Sequence, residues 1–159
     1  MINDLEKLGW AVNESLRIEP PVLIPIGNTP FDEIKLNDGF TLKKGSNFTF
    51  NFYRLHHNPD EWRQPDEFKP DRFNPKSMWY LTPVGNKRNS FSFMPFSPGR
   101  RSCAGKTFAE TLPKLVLAYL LHEFDFEMAN PDHKIEKPMI TVQTVKPTKI
   151  PVLIRKRER

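Results

Sequence analysis

The sequence predicts a mixed α and β (α+β) domain, and three observations carry that prediction. Apolar residues recur at helical spacing over two long stretches, Asn3 to Ile18 and Lys106 to Leu121. Short alternating stretches bounded by turn residues lie between and after them. Sixteen prolines and a negative mean hydropathy describe a loop-rich chain. At 159 residues it is long enough for one core. An apolar fraction of 38% with thirteen phenylalanines excludes a disordered tail. We read residues 1–159 as a single domain, with no separate linker and no second domain.

The elements follow in order. In the first helix Leu5, Leu8, Val12, Leu16 and Ile18 share a face, Asp4 and Glu6 suit the first turn, and Pro20-Pro21 ends it. Glu14 and Arg17, at i and i+3, are close enough to pair. From Pro20 to Pro30 the prolines enforce an extended segment. Glu33 to Leu36 and Phe40 to Lys43 flank Asn37-Asp38-Gly39, a hairpin signal. Asn47 to Tyr53, with Phe48, Phe50 and Phe52 alternating, is expected to add a strand to a small mixed sheet. Asn58-Pro59-Asp60-Glu61-Trp62 predicts a short helix with proline at its first position.

Residues 74–89 read as an ordered irregular loop anchored by Trp79 and Tyr80, with Lys87-Arg88 expected to face a partner. In the second long helix Phe108, Leu112, Leu115, Val116, Tyr119 and Leu120 share a face, and Pro113 predicts a kink. Phe124 to Glu127 alternates like a strand. Asn130 to Lys134 is a turn. Met139 to Val145 and Ile150 to Ile154 are expected to be two strands joined across Lys146-Pro147-Thr148-Lys149.

Composition removes several functions. The single cysteine, Cys103, excludes a disulfide framework and any multi-cysteine zinc or iron–sulfur site. The four histidines, His56, His57, His122 and His133, have no metal-ligand spacing, and the adjacent pair reads as surface or packing. A net charge of +5 first suggests nucleic acid, but no nucleic-acid-binding motif accompanies it. The basic residues cluster from Lys76 to Arg101 and again in Arg155-Lys156-Arg157-Glu158-Arg159, which fits an acidic protein partner better. No apolar run reaches the ~20 residues a bilayer needs. Two glycosylation sequons, at Asn13 and Asn47, are read as coincidental, since no export signal accompanies them.

The informative stretch is Phe93 to Gly105, Phe-Met-Pro-Phe-Ser-Pro-Gly-Arg-Arg-Ser-Cys-Ala-Gly. It brings the lone thiol to the start of a helix and beside Arg100 and Arg101, and both settings favour thiolate over thiol. Phe96, Gly99, Arg101, Cys103 and Gly105 spell F-x-x-G-x-R-x-C-x-G. Five fixed positions match by chance in about one window per few million at ordinary residue frequencies. This pattern resembles the haem-binding signature of the cytochrome P450 family. Two further matches precede it. Glu14-Ser15-Leu16-Arg17 resembles the family's E-x-x-R helix, and Pro70-Asp71-Arg72-Phe73 its P-E-R-F element, with Asp in place of Glu.

The resemblance implies the C-terminal part of the cytochrome P450 fold and a haem (iron protoporphyrin, heme) cofactor held by Cys103 as axial thiolate ligand. It implies Arg101 as a propionate partner, Phe96 against the proximal haem face, and backbone N–H groups near Ala104 and Gly105 tuning the sulfur. Gly99 would take positive φ in the turn and Gly105 would allow close approach of the ring. Glu14, Arg17 and Arg72 would form a buried structural ion cluster. Val22, Leu23 and Ile24, with Ile26, would contribute to the substrate pocket, and Thr144 and Val145 would reach it from the terminal hairpin. Members often carry a basic residue near Ile24 for a second propionate; this chain has apolar side chains there.

The implied function is a haem-thiolate monooxygenase. It would take electrons from a reductase or ferredoxin docked on the basic face and insert oxygen from O₂ into a small apolar substrate. A eukaryotic member would work at the endoplasmic reticulum membrane. Family members are several times longer, and no distal acid–threonine pair is present here, so no catalytic residue is assigned. The chain is expected to be the C-terminal part of a truncated gene model, partial gene or pseudogene product, inactive alone and lacking its membrane anchor. Two other classes remain open: a non-catalytic haem-binding or electron-transfer module, and a basic interaction domain that ignores Cys103.

Overall fold

Amphipathic packing of α1 (Ile2–Ile18) sets the layout. It lies against α3 (Lys106–Glu123), the short α2 (Phe52–His56) and a 3₁₀ turn at Pro70–Phe73. The computed structural model describes residues 2–25, 27–130, 132, 139–140, 145–146 and 150–158. The described part joins helices to three small antiparallel two-stranded sheets, the α+β architecture the sequence predicts.

The first hairpin forms where the turn residues demand it. β1 (Ile34–Lys35) pairs with β2 (Thr41–Leu42), with Ile34 opposite Leu42. Gly39 supplies the positive φ of 85°, and Asp38 Oδ1 accepts the Phe40 N–H at 2.9 Å.

Two local expectations are corrected. Asn47 to Tyr53 is not a strand: Phe48 makes one isolated bridge to Asn28, and the chain then enters α2. Asn51 decides this, because its side chain accepts the Arg54 N–H at 2.9 Å and so caps the helix. Asn58 to Trp62 is a single turn, not a helix. Asn58 C=O accepts from Glu61 and Trp62, and its Oδ1 takes the Asp60 N–H at 3.1 Å. That local bonding competes with helix propagation, and Pro65 lies too close for a second turn.

α3 runs as one element of 18 residues with Pro113 inside it. At its end β3 (Phe124–Met128) pairs antiparallel with β6 (Val152–Lys156) in the register Phe124 to Lys156 through Met128 to Val152. The expected pairing of Met139–Val145 with Ile150–Ile154 is therefore corrected. β4 (Met139–Ile140) pairs with β5 (Val145–Lys146), while β6 goes to β3. The β3–β6 pairing sets unlike charges on diagonal positions: Arg157 Nε lies 2.7 Å from Asp125 and Arg155 Nη2 3.5 Å from Glu127. The basic tail is thus partly neutralised by the acidic strand beside it.

The interior is unusual in what it buries. Leu23, Phe52, Trp62 and Met94 are its large apolar members, yet Glu14, Arg17, His56 and Arg72 are all 0% exposed. Charges this deep are tolerable only when every one is hydrogen-bonded.

Candidate functional site

The site rests on that charged interior. Glu14 lies one turn before Arg17 on α1, and its carboxylate accepts Arg17 Nε at 2.8 Å and Nη2 at 3.0 Å. The same carboxylate accepts Arg72 Nε at 2.9 Å and the Lys69 N–H at 2.8 Å. The guanidiniums spend their remaining donors on main-chain carbonyls. Arg17 Nη1 reaches His56 C=O at 2.9 Å, and Arg72 Nη2 reaches Gln64 C=O at 2.6 Å, while Arg72 Nη1 bonds Arg63 C=O. Glu14, Arg17 and Arg72 are brought together as the sequence implies, and they tie α1 to the chain segment before the cysteine loop.

Aromatic rings wall this cluster. The Arg17 guanidinium lies 5.2 Å from the Trp62 ring centre, Arg88 4.3 Å from the same ring, and Arg72 5.4 Å from Trp79. Arg88 also donates to Trp79 C=O at 2.8 Å and to Arg72 C=O. Burial beside Arg72 lowers its pKa to about 10. The half-buried Arg88 is therefore engaged by this network, while Lys87 beside it is exposed.

Phe93 leads from this wall into the cysteine loop, its ring 4.9 Å from Phe73 and 5.4 Å from His56. The loop is held by its own backbone: Ser97 N–H donates to Met94 C=O at 3.2 Å, Ser102 N–H to Gly99 C=O at 3.1 Å, and Cys103 N–H to Phe96 C=O at 2.8 Å. Ser97 and Gly99 both have positive φ, 57° and 77°. Gly99 carries the second without penalty, whereas Ser97 is a strained residue fixed by its surroundings. Cys103 emerges free and exposed, just before Gly105, the N-terminal cap of α3.

Cys103 opens on a cleft of ≈ 800 Å³, which Phe96, Arg101 and Val22 also line, with Phe48, Phe50 and Phe52 on its walls. Arg101 makes no ion pair or hydrogen bond among the described residues. Thiol, free cation and apolar wall thus share one space. Gly99, Ala104 and Gly105 are exposed in the loop but do not line the cleft. A Cβ on Gly105 would stand 3.8 Å from Cys103 Sγ. Among the described residues no N–H donates to that sulfur; Lys106 N–H goes to Cys103 C=O at 3.2 Å and Ala109 N–H to Gly105 C=O at 2.9 Å.

The pocket candidates divide. Val22 lines the cleft, but Leu23 is buried beneath it, where its C=O accepts the Phe52 N–H at 2.9 Å. Ile24 is exposed and off the cleft: the chain bends at Leu23 and Ile24, so Ile24 does not share Val22's face as strict alternation would require. Ile26 and Thr144 lie outside the described residues, and Val145 is described only through its strand pairing with Ile140.

His56 is the residue sequence reading missed. It is fully buried, bridges Arg17 and Met94, and is held neutral: burial first, then His57 and Arg17, lower its pKa to about 4. Its one signal was position four after Phe52, the spacing that stacks two rings on a helix. Among the described residues, no group of three or more His, Cys, Asp or Glu could hold a metal ion.

Three comparisons bear on this arrangement. The family model described as Cytochrome P450 matches residues 1–152. Cytochrome P450 4A12B of Mus musculus is 39% identical over 126 residues, covering 77% of this chain and 23% of that protein. Taurochenodeoxycholic 6 alpha-hydroxylase of Sus scrofa is 39% identical over 128 residues, covering 80% and 23%. Steroid 17-alpha-hydroxylase/17,20 lyase of Macaca fascicularis is 39% identical over 129 residues, covering 79% and 24%. The chain spans about a quarter of the length of these relatives. Among solved structures, a retinoic acid-bound cyanobacterial CYP120A1 superposes with a TM-score of 0.78 at 26% identity, covering 95% of this chain and 33% of that one. A zebrafish cytochrome P450 with abiraterone also gives 0.78, at 25% identity, covering 97% and 33%.

Proposed function

We propose that this chain, which belongs to the cytochrome P450 family, supplies the cysteine-bearing half of a haem-thiolate monooxygenase site, in which Cys103 would hold the iron. The observation that carries this is an exposed thiol opening on the same cleft as an arginine that has no ion pair or hydrogen bond among the described residues. The donor set fits the cofactor: a soft sulfur ligand for iron, one free cation for a carboxylate, and aromatic walls for a flat apolar ring.

Haem, when bound, supplies reductive activation of O₂ and transfer of one oxygen atom to an apolar substrate. The chain's own residues hold and insulate it. Cys103 Sγ would hold the metal and supply the electron donation that a sulfur ligand gives it. Arg101 pairs with a propionate, and Phe96 packs beside the ring and limits water at the sulfur. The Ala104 and Gly105 amides, one and two residues past the ligand, would act on its donor strength through their dipoles. Val22, in the cleft lining, contributes to the apolar surface a substrate would meet. Glu14, Arg17 and Arg72 do no chemistry; they hold the base on which the loop stands.

In the whole protein, electrons come from a reductase or ferredoxin whose acidic face complements the exposed lysines and arginines around the loop. If the whole protein is a eukaryotic member of the family, we place it at the endoplasmic reticulum membrane. Among the described residues no helix is long and apolar enough to cross a membrane.

Haem titration tests the reading. The folded chain, verified by far-UV circular dichroism, should take up haem to an equimolar end point with a ferric spectrum of thiolate ligation. A folded chain that takes up no haem, or a Cys103→Ala variant with the same spectrum, overturns it.

A further inference from the structure

His56 ends α2 with its side chain fully buried, between the charged interior and the cysteine loop. Its Nε2 stands 3.0 Å from the Met94 amide nitrogen. A backbone N–H can only donate, so Nε2 must carry its lone pair and the proton of the neutral ring must sit on Nδ1. Nδ1 is buried and has no hydrogen-bond partner among the described residues. An unsatisfied buried donor is costly, so the ring holds an expensive tautomer to keep one bond to Met94. On its other side the His56 C=O accepts Arg17 Nη1 at 2.9 Å, and its ring lies 6.0 Å from Phe52 and 5.4 Å from Phe93.

The bond matters because of where it lands. Every other hydrogen bond of residues 93–102 among the described residues stays within the loop and Cys103. His56 to Met94 is the one that reaches a distant part of the chain. Met94 C=O then takes the Ser97 N–H at the strained turn, and Phe96, two residues on, takes the Cys103 N–H. Any shift at Met94 is carried along this backbone to the sulfur.

We infer that His56 is a positioning residue for Cys103: its neutral Nδ1–H imidazole fixes the base of the cysteine loop through the Met94 amide and transmits the rigidity of the Glu14–Arg17 pair to the thiol. The inference rests on Cys103 as the iron ligand, but it is read first without haem.

In the ¹⁵N-labelled wild-type chain, His56 should show an unprotonated Nε2 coupled through the hydrogen bond to the Met94 N–H. An Nε2–H tautomer overturns the inference, whatever the variants do. His56→Phe keeps a stacking ring but removes the acceptor; His56→Gln returns an acceptor oxygen at similar reach. Met94 amide exchange should quicken by roughly tenfold or more in the Phe variant, as for loss of one buried hydrogen bond, and stay near wild type in the Gln variant. After haem loading and reduction under CO, the Phe variant should lose thiolate-type band in favour of the thiol type, with His56→Gln restoring it. A folded Phe variant with unchanged Met94 protection and an unchanged band overturns the inference. If His56→Phe does not fold, a folded Gln variant with unprotected Met94 does so too. A wild-type chain that takes up no haem fails the reading of Cys103 instead, and leaves the tautomer and exchange results to judge His56.

Discussion

Replacing Glu14 by Gln removes the only carboxylate that Arg17 and Arg72 share among the described residues while nearly conserving volume. The carboxylate accepts four hydrogen bonds, two from Arg17, one from Arg72 and one from the Lys69 amide, and all three side chains are 0% exposed. In the variant, one oxygen becomes an NH₂ donor that faces a guanidinium, and two buried cations lose their counter-charge. Breaking a buried ion pair from one side costs about 3–5 kcal/mol. The carbonyls of His56, Gln64 and Glu67 still accept from both arginines, which places the expected loss in the lower half of that range. Domains are stable by only about 5–15 kcal/mol, so the loss is a large share of the total. The assay is urea unfolding followed by far-UV circular dichroism. With a slope of about 2 kcal/mol/M, the midpoint should fall by roughly 1.5–2 M with the slope unchanged. A Glu14→Gln chain within about 1 kcal/mol of wild type would refute the claim that this carboxylate holds the loop's support together.

His56 predicts a pH dependence with a definite sign. Its pKa is about 4 when folded against 6.5 in the unfolded chain, from burial first and then His57 and Arg17. Below pH 6.5 the unfolded state binds the proton and the folded state does not, so His56 makes stability fall as pH drops from about 6.5 to about 4, by ~3 kcal/mol. Urea midpoints measured across that window should show the slope, and His56→Gln should flatten it. Arg88→Lys keeps the charge but loses the flat contact with Trp62 and the paired carbonyl bonds, so it should destabilise by about 1–2 kcal/mol in thermal melts. Arg101→Ala should do the reverse: unchanged stability, since the side chain is exposed and unpaired among the described residues, with haem affinity weakened by roughly tenfold or more in a titration.

Much of this architecture was legible because it rests on short-range chemistry. The i, i+3 spacing of Glu14 and Arg17 and the turn at Asn37-Asp38-Gly39 declare themselves locally, and the loop spacing through Cys103 does so as a motif. The partnership of Arg72 with Glu14, across 58 residues, could be named only through resemblance. What misled was local pattern overridden by a single side chain. Phe48, Phe50 and Phe52 alternate like a strand, yet the Asn51 cap turns the chain into α2. Arg88 looked like surface charge because nothing in sequence reveals that Trp62 and Tyr80 fold around it. The strand order at the end was hidden for another reason. Hairpin logic pairs neighbours, but acidic β3 takes basic β6 across the intervening β4–β5 hairpin.

The most direct measurement of the central claim is the absorption difference spectrum of the haem-loaded, reduced chain with and without CO. A thiolate-type Soret shift in the wild-type chain, absent from Cys103→Ala, is the predicted result. A band characteristic of imidazole ligation in the wild-type chain, or a thiolate-type shift that survives Cys103→Ala, would contradict it.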